Sequence, residues 1–266
     1  MVPYQSYQSE AAGAFSALEE IKKLALSRPA ARGGLDRLRG QRITVIPELD
    51  PRHPGGADRG NRYVDAGAGA IAIAVCAGAS GAGADPDLGL GLDPDTVAGI
   101  SSRIHAPVLC LEPADSSYRI WHARACGADM VVLPAAALSD SALYSLLERA
   151  ESLGMDGLVE VRCGADLVRA LKARARAVLV RPTADAAPSG ASARDLLSMV
   201  PHGVVKLAEC GPTGRSGLIA CARNGADAVL VGAELLAGAA DSAAIVADLA
   251  AMGAHPALAA RGSRAA

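Results

Sequence analysis

The feature that most limits what this chain can fold into is an eightfold alternation. A short, mostly apolar run rich in Val, Ile and Leu is followed each time by a turn and then an Ala-rich amphipathic segment. The runs are Ile43–Leu49, Ala70–Val75, Val108–Leu111, Met130–Leu133, Gly157–Val161, Ala177–Val180, Val204–Leu207 and Ala228–Val231. Their starts lie roughly 20 to 40 residues apart, which leaves room for one crossover helix between parallel strands. Short, mostly apolar runs such as these read as strands covered on both faces. Helices are predicted over Ser116–Cys126, Ser139–Leu153, Ala165–Ala173 and Ser216–Asn224, with Ser139 as a cap and Leu143, Leu146 and Leu147 on one stripe. Eight such units predict an α/β fold, a (β/α)8 TIM barrel, rather than an open doubly wound sheet. A helix from about Glu10 to Ser27 precedes the first strand and is placed to cap one end. The expected organisation is one barrel domain over residues 1–266, with 1–40 as a helical extension and 256–266 as a flexible tail.

Composition narrows the partners. The chain of 266 residues carries one Phe (Phe15), one Trp (Trp121) and five Tyr, so its core is built of small and branched side chains. Such a core suits helix-on-strand packing and offers little for stacking nucleic-acid bases. A formal charge of −2 gives no basic face, and nucleic acid is excluded as a partner. Residues Met1–Glu10 lack the basic and apolar regions of a secretory signal, and the uncharged stretch from Ala66 to Ala84 is too weakly apolar to span a membrane. The six cysteines (Cys76, Cys110, Cys126, Cys163, Cys210, Cys221) show no metal or redox spacing and are read as reduced thiols of a cytoplasmic protein. Four of the histidines, His105, His122, His202 and His255, are read as solvent-facing.

Two carboxylates stand out because they interrupt apolar runs. Glu48 and Glu160 lie inside predicted strands, so they point into the barrel, and a buried carboxylate is retained more often for function than for packing. Asp50 lies two residues after Glu48, on the same expected face. With His53 these oxygens could suit Mg2+ or Mn2+, but the spacing matches no metal signature, and no cofactor is expected. Pro51–Gly60 and Gly78–Leu92 read as loops at the C-terminal face, where barrel active sites form.

Several stretches, in order along the chain, resemble indole-3-glycerol phosphate synthases. Val45-Ile46-Pro47-Glu48-Leu49-Asp50 resembles the VIAEIK of that family's first strand, and Pro107 to Glu112 resembles PVLRKD. Tyr118 to Leu133 resembles YQIYEARAAGADAVLL, and Leu153 to Val161 resembles LGMDVLVEV. Glu209-Cys210-Gly211 and Gly225 to Gly232 resemble ESG and GVDAVLIG. The resemblance implies an enzyme that closes an aryl-amino ribulose phosphate to an indole with loss of CO2 and water. It implies a third-strand Lys as general acid and a fifth-strand Glu for proton transfer. A Glu and a Lys on the first strand and an Asn on the sixth support them, and phosphate rests on backbone amides after strands seven and eight.

Carried over, Glu160 and Glu48 match the two glutamates, Gly211 and Gly232 the phosphate-loop glycines, and Leu133 and Pro54 apolar walls of the pocket. The departures are heavier. The first-strand Lys is Asp50, and the third-strand Lys is Leu111. Arg181 begins the segment that replaces the sixth-strand Asn-Asn-Arg. Cys210 and Ala233 stand where the family has serines, and Pro113 where it has Phe. Leucine cannot transfer a proton, and loss of a positioned acid typically lowers a rate by ~10²–10⁴. Asp50 would repel a phosphate unless a cation approached, with Arg181 and Arg215 as candidates. The expected catalytic set is therefore Glu160, Glu48 and Asp50. Pro54, Leu111, Leu133, Arg181, Cys210, Gly211, Gly232 and Ala233 form the substrate-binding set, for a small anionic molecule handled by a monomer or homodimer. The alternatives are a barrel that binds a ligand without turnover, or a lyase or isomerase using the carboxylates differently.

Overall fold

The computed structural model describes residues 17–40, 42–53, 55–74, 94–181, 193–237, 239 and 241–259. Eight parallel strands close into a barrel in sequence order, with β1 paired to both β2 and β8. They are β1 (Thr44–Leu49), β2 (Ile71–Ile73), β3 (Val108–Pro113), β4 (Met130–Pro134), β5 (Asp156–Val161), β6 (Ala177–Val180), β7 (Val205–Glu209) and β8 (Ala228–Val231).

Side-chain alternation sorts the strand residues into two cores. Ile46, Ala72, Leu109, Met130, Leu158, Leu179, Leu207 and Leu230 fill the lumen. Val45, Ile73, Cys110, Val131, Val159, Val178 and Val229 face the helical layer. Alanines at Ala70, Ala72, Ala177 and Ala228 alternate with the larger lumen residues, so the layers interdigitate without aromatics.

The N-terminal extension closes the floor. Helix α1 spans 17–27 and packs Ile21 and Ala25 on Trp121 and Ala125 of the barrel wall. Helix α2 (Gly34–Leu38) then inserts Leu35 and Leu38 into the lumen core. Both leucines are fully buried, which contributes about 3–6 kcal/mol together. At Gly34 any side chain would meet Met130, since a Cβ there would lie 2.4 Å from the Met130 Cγ.

The outer layer comprises α3 (Gly56–Asp65), α4 (Pro94–Ser101), α5 (Ser117–Ala125), α6 (Asp140–Ser152), α7 (Gly164–Lys172), α8 (Ala193–Met199), α9 (Arg215–Arg223), α10 (Ala233–Ala237), α11 (Ser242–Gly253) and α12 (Pro256–Ala259). The Ser139 Oγ accepts from the Ala142 amide at 3.2 Å and starts α6, as its sequence predicts. Among the described residues no helix is long and apolar enough to cross a membrane.

The strands differ from their apolar runs mainly at the C-terminal end. β3 continues to Pro113 and β7 to Glu209, because a barrel strand keeps its ladder while its side chains emerge into the polar mouth. One histidine also differs: His122 is buried, because α5 is covered by α1 on one side and the barrel on the other.

Candidate active site

The inward alternation of β5, β6 and β7 carries past the last lumen residues, Leu158, Leu179 and Leu207, to Glu160, Arg181 and Glu209. These side chains form one row with Arg162 at the strands' C-terminal ends. The Glu160 side chain is 1% exposed. Its Oε1 accepts from Arg162 Nε at 2.7 Å, and its Oε2 from Arg181 Nη1 at 3.2 Å. Arg181 Nε also donates to Glu209 Oε2 at 3.2 Å. Two guanidiniums therefore compensate a buried carboxylate that alone would be strongly destabilising. Glu209 is the exposed end of the row, so Arg181 has one partner fixed beneath it and one an incoming anion can displace.

Glu48 lies across the lumen on β1. Its Oε2 accepts from the Ala233 amide at the start of α10, at 3.0 Å. A Cβ on Gly232 would stand 3.8 Å from the same oxygen. Gly211 follows β7 with φ of +63°, the left-handed region that favours glycine.

The remaining expected residues are placed as follows. Leu111 faces the lumen below the mouth. Leu133 does not: it lies in the helix-facing core, because Val132 and Pro134 take the inward positions of β4 opposite Leu158 and Glu160. Asp50 lies beyond the end of β1, where strand alternation no longer applies. It is exposed and accepts from the Arg52 backbone at 2.9 Å and from Arg52 Nε at 3.0 Å. The Arg52 guanidinium holds the Asp50 carboxyl below its usual range. Pro54 and the Gly78–Leu92 loop fall outside the described residues.

Glu48, Asp50 and Glu160 are thus held apart, each by its own partners. Among the described residues no group of His, Cys, Asp and Glu converges as metal ligands would. Arg215 forks onto Asp248 of α11, away from the mouth. Cys210 is buried, with its thiol pushed up to about 11 by burial and its Sγ donating to the Gly214 carbonyl at 3.1 Å. Such a thiol stays protonated at neutral pH and is a poor nucleophile.

Arg162 and Glu209 belong to this candidate site, and the sequence pattern alone does not single them out. The signal available is parity: Arg162 is two residues beyond Glu160, and Glu209 two beyond Leu207. The chain's four lysines, Lys22, Lys23, Lys172 and Lys206, all lie elsewhere. The first two are on α1 and Lys172 ends α7. Lys206 has the outward parity of β7, and its Nζ lies near Gly225 in the loop leading into β8. No lysine of this chain stands at the mouth.

A closed parallel barrel with paired carboxylates and guanidiniums at its C-terminal mouth defines a TIM-barrel enzyme. The family model for indole-3-glycerol phosphate synthase matches residues 58–249. The indole-3-glycerol phosphate synthase of Streptomyces griseus is 37% identical, covering 91% of this chain and 90% of its own. That of Kineococcus radiotolerans is 44% identical over 62% of this chain and 60% of its own. This chain belongs to the indole-3-glycerol phosphate synthase family, which is one of carbon–carbon lyases. Among solved structures, a thiamine phosphate pyrophosphorylase from Pyrococcus furiosus superposes with a TM-score of 0.56 at 14% identity, covering 80% of this chain and 98% of its own. An N-acetylmannosamine-6-phosphate 2-epimerase from Clostridium perfringens also gives 0.56, at 13% identity, covering 79% and 93%. At such identities the likeness is one of fold.

Proposed function

We propose that the mouth of this barrel closes an aryl-amino sugar phosphate, or a closely similar anionic substrate, with loss of CO2 and water. The observation that carries this reading is the buried Glu160 held between Arg162 and Arg181. A carboxylate so fixed can take and return a proton at the reacting carbon. The guanidiniums stabilise negative charge that builds on the substrate, in place of the family's lysines. An incoming carboxylate displaces Glu209 from Arg181, and the Gly211 and Gly232–Ala233 backbone receives the phosphate. To do so the phosphate takes over the Ala233 amide from Glu48, which frees Glu48 to act on the substrate.

A guanidinium is too weak an acid to give up a proton near neutral pH, so arginine supplies charge rather than protons. With Leu111 at the family's general-acid position and no lysine at the mouth, the leaving hydroxyl must be protonated by Glu160 or by water. Turnover slower than in lysine-bearing relatives, by ~10²–10⁴, is the expected consequence.

The test is fluorescence-monitored turnover of the family's carboxyphenylamino-deoxyribulose phosphate by the wild-type chain and by Glu160→Gln and Arg181→Gln. Slow indole formation, abolished by the first change and cut at least about tenfold by the second, supports the assignment. No product from the wild-type chain, or product unaffected by Arg181→Gln, refutes it.

A further inference from the structure

At the opposite end of the barrel from the mouth, a cavity of about 330 Å3 lies between the N-terminal extension and the wall. It is bounded by the segment joining α1 to α2, by α4, and by the turn between α5 and β4. Its charges do not cancel. Arg28 pairs with Asp95 at 2.6 Å and Arg32 with Asp129 at 2.7 Å. Asp129 is also occupied by the Val108 amide. The third guanidinium, Arg124, is 5% exposed. Among the described residues it donates only to the carbonyls of Ala128 and Pro29. The lining therefore carries three positive and two negative groups, an excess of one positive charge.

A second observation lies in the wall of the same space. Ser101, at the end of α4, is 1% exposed and lines the cavity, yet its Oγ has no hydrogen-bond partner among the described residues. A buried hydroxyl left without a partner is destabilising, and a turn of the Ser101 side chain about its Cα–Cβ bond would offer it to an acceptor in the cavity. Apart from Ser102, the rest of the lining is small and apolar. Ala98 and Gly99 of α4 form part of it, and a Cβ added at Gly99 would meet nothing within 4 Å.

We propose that this cavity binds a small organic monocarboxylate, its carboxylate on Arg124 and the Ser101 hydroxyl and its apolar body over Ala98 and Gly99. One negative charge matches the single excess cation, and the apolar lining selects against inorganic anions, which would leave it unfilled. The bound molecule ties the N-terminal extension to α4 and α5, and so links the segment that carries the lumen's floor, Leu35 and Leu38, to a ligand.

The chain's one tryptophan, Trp121, lies a helical turn before Arg124 on α5 and reports on the cavity. The full chain is titrated with cyclohexanecarboxylate at constant ionic strength, reading Trp121 emission and melting temperature. Cyclohexanemethanol serves as the uncharged control. A saturable emission change with half-saturation near about 1 mM or below is expected, with the alcohol at least about tenfold weaker. Gly99→Leu fills the cavity and replaces glycine in a helix with a better helix former, so it folds and abolishes the response. Ser101→Ala weakens binding about fivefold. Glu160→Gln, at the mouth, leaves the response unchanged. The proposal is overturned if neither emission nor melting temperature responds saturably, if the response survives Gly99→Leu, or if it is lost in Glu160→Gln.

Discussion

The two ends of this barrel differ in how far their carboxylates depend on the backbone. At the base, three aspartates at the starts of strands accept hydrogen bonds from backbone amides of neighbouring segments. Asp129 takes the Val108 amide at 2.7 Å, Asp227 the Lys206 amide at 2.8 Å and Asp156 the Leu35 amide at 3.0 Å. Each stands two residues after a glycine of positive φ, at Gly127, Gly225 and Gly154, which turns the chain from helix into strand. At the mouth, the row on β5 to β7 is held by side chains, Glu160 by Arg162 and Arg181 and Glu209 by Arg181, while Glu48 rests on the Ala233 amide. Backbone partners fix a carboxylate as firmly as the fold itself, whereas side-chain partners can be exchanged for a substrate's charges. The GAD and LGMD stretches that carry the family resemblance are these base turns. What they report is how the barrel is built. The proposed reaction uses the other end, where Leu111 and Asp50 stand in place of the lysines that the resemblance implies.

The strongest way to break this comparison is a crossed pair of substitutions. Glu160→Gln is expected to lower turnover by ~10²–10⁴ while moving the melting temperature little, since Gln keeps the shape and the guanidiniums are partly solvated. Asp129→Ala strips the Val108 amide and Arg32 of their acceptor. It is expected to destabilise the fold by about 3 kcal/mol, a fall of about 6–12 °C in Tm, with kcat of the folded fraction nearly unchanged. Thermal melts and steady-state kinetics on both variants check it. If Asp129→Ala reduced kcat as much as Glu160→Gln does, the division between a structural base and a chemical mouth would be wrong.

The same division decides what could be read from the sequence. The eight strands were legible because each is a short, mostly apolar run, and Glu160 because a charge inside such a run has nowhere to go but the lumen. Arg162 and Glu209 were not, because a charged residue at a strand's end looks like the start of a solvated loop. Only counting alternate positions through the strand end distinguishes the two. That count fails where the strand stops: Asp50 was expected inward with Glu48, but the chain turns at Pro51 and Asp50 pairs with Arg52 instead. Leu133 shows the converse, an apolar residue matched by resemblance to the pocket but placed by parity against the helices. His122 eluded the pattern because its helix is covered on two sides, and nothing in a local window announces that α1 folds back over α5.

His122 supplies the next test, on the base side of α5. Burial pushes its pKa down to about 4 from the usual 6.5. Between those values the unfolded chain takes up a proton that the folded chain refuses. The stability from a neutral His122 is thus fully present above pH 6.5 and is lost as pH falls toward 4. At pH 4.5 the loss from this residue is about 2 kcal/mol. Urea melts at pH 7 and pH 4.5 should show the wild-type chain losing that much more than His122→Gln. Equal losses would mean that other groups carry its acid sensitivity and that the α1–α5 contact does not keep the imidazole neutral.

The smallest expected effect sharpens the mouth itself. Gly211 has φ of +63°, and a Cβ added there would meet nothing within 4 Å, so Gly211→Ala brings backbone strain and no clash. The strain is worth about 1–2 kcal/mol, or about 2–8 °C in Tm. The amide survives the substitution, so any functional effect must come from a shift in where that amide points. If the loop after β7 receives the substrate's phosphate, KM should rise several-fold while kcat stays within about twofold, since a displaced phosphate contact weakens binding and leaves the Glu160 row untouched. A fall in Tm with KM unchanged would remove this loop from the substrate site, and anion recognition at the mouth would then rest on Arg181 and its displaceable partner Glu209.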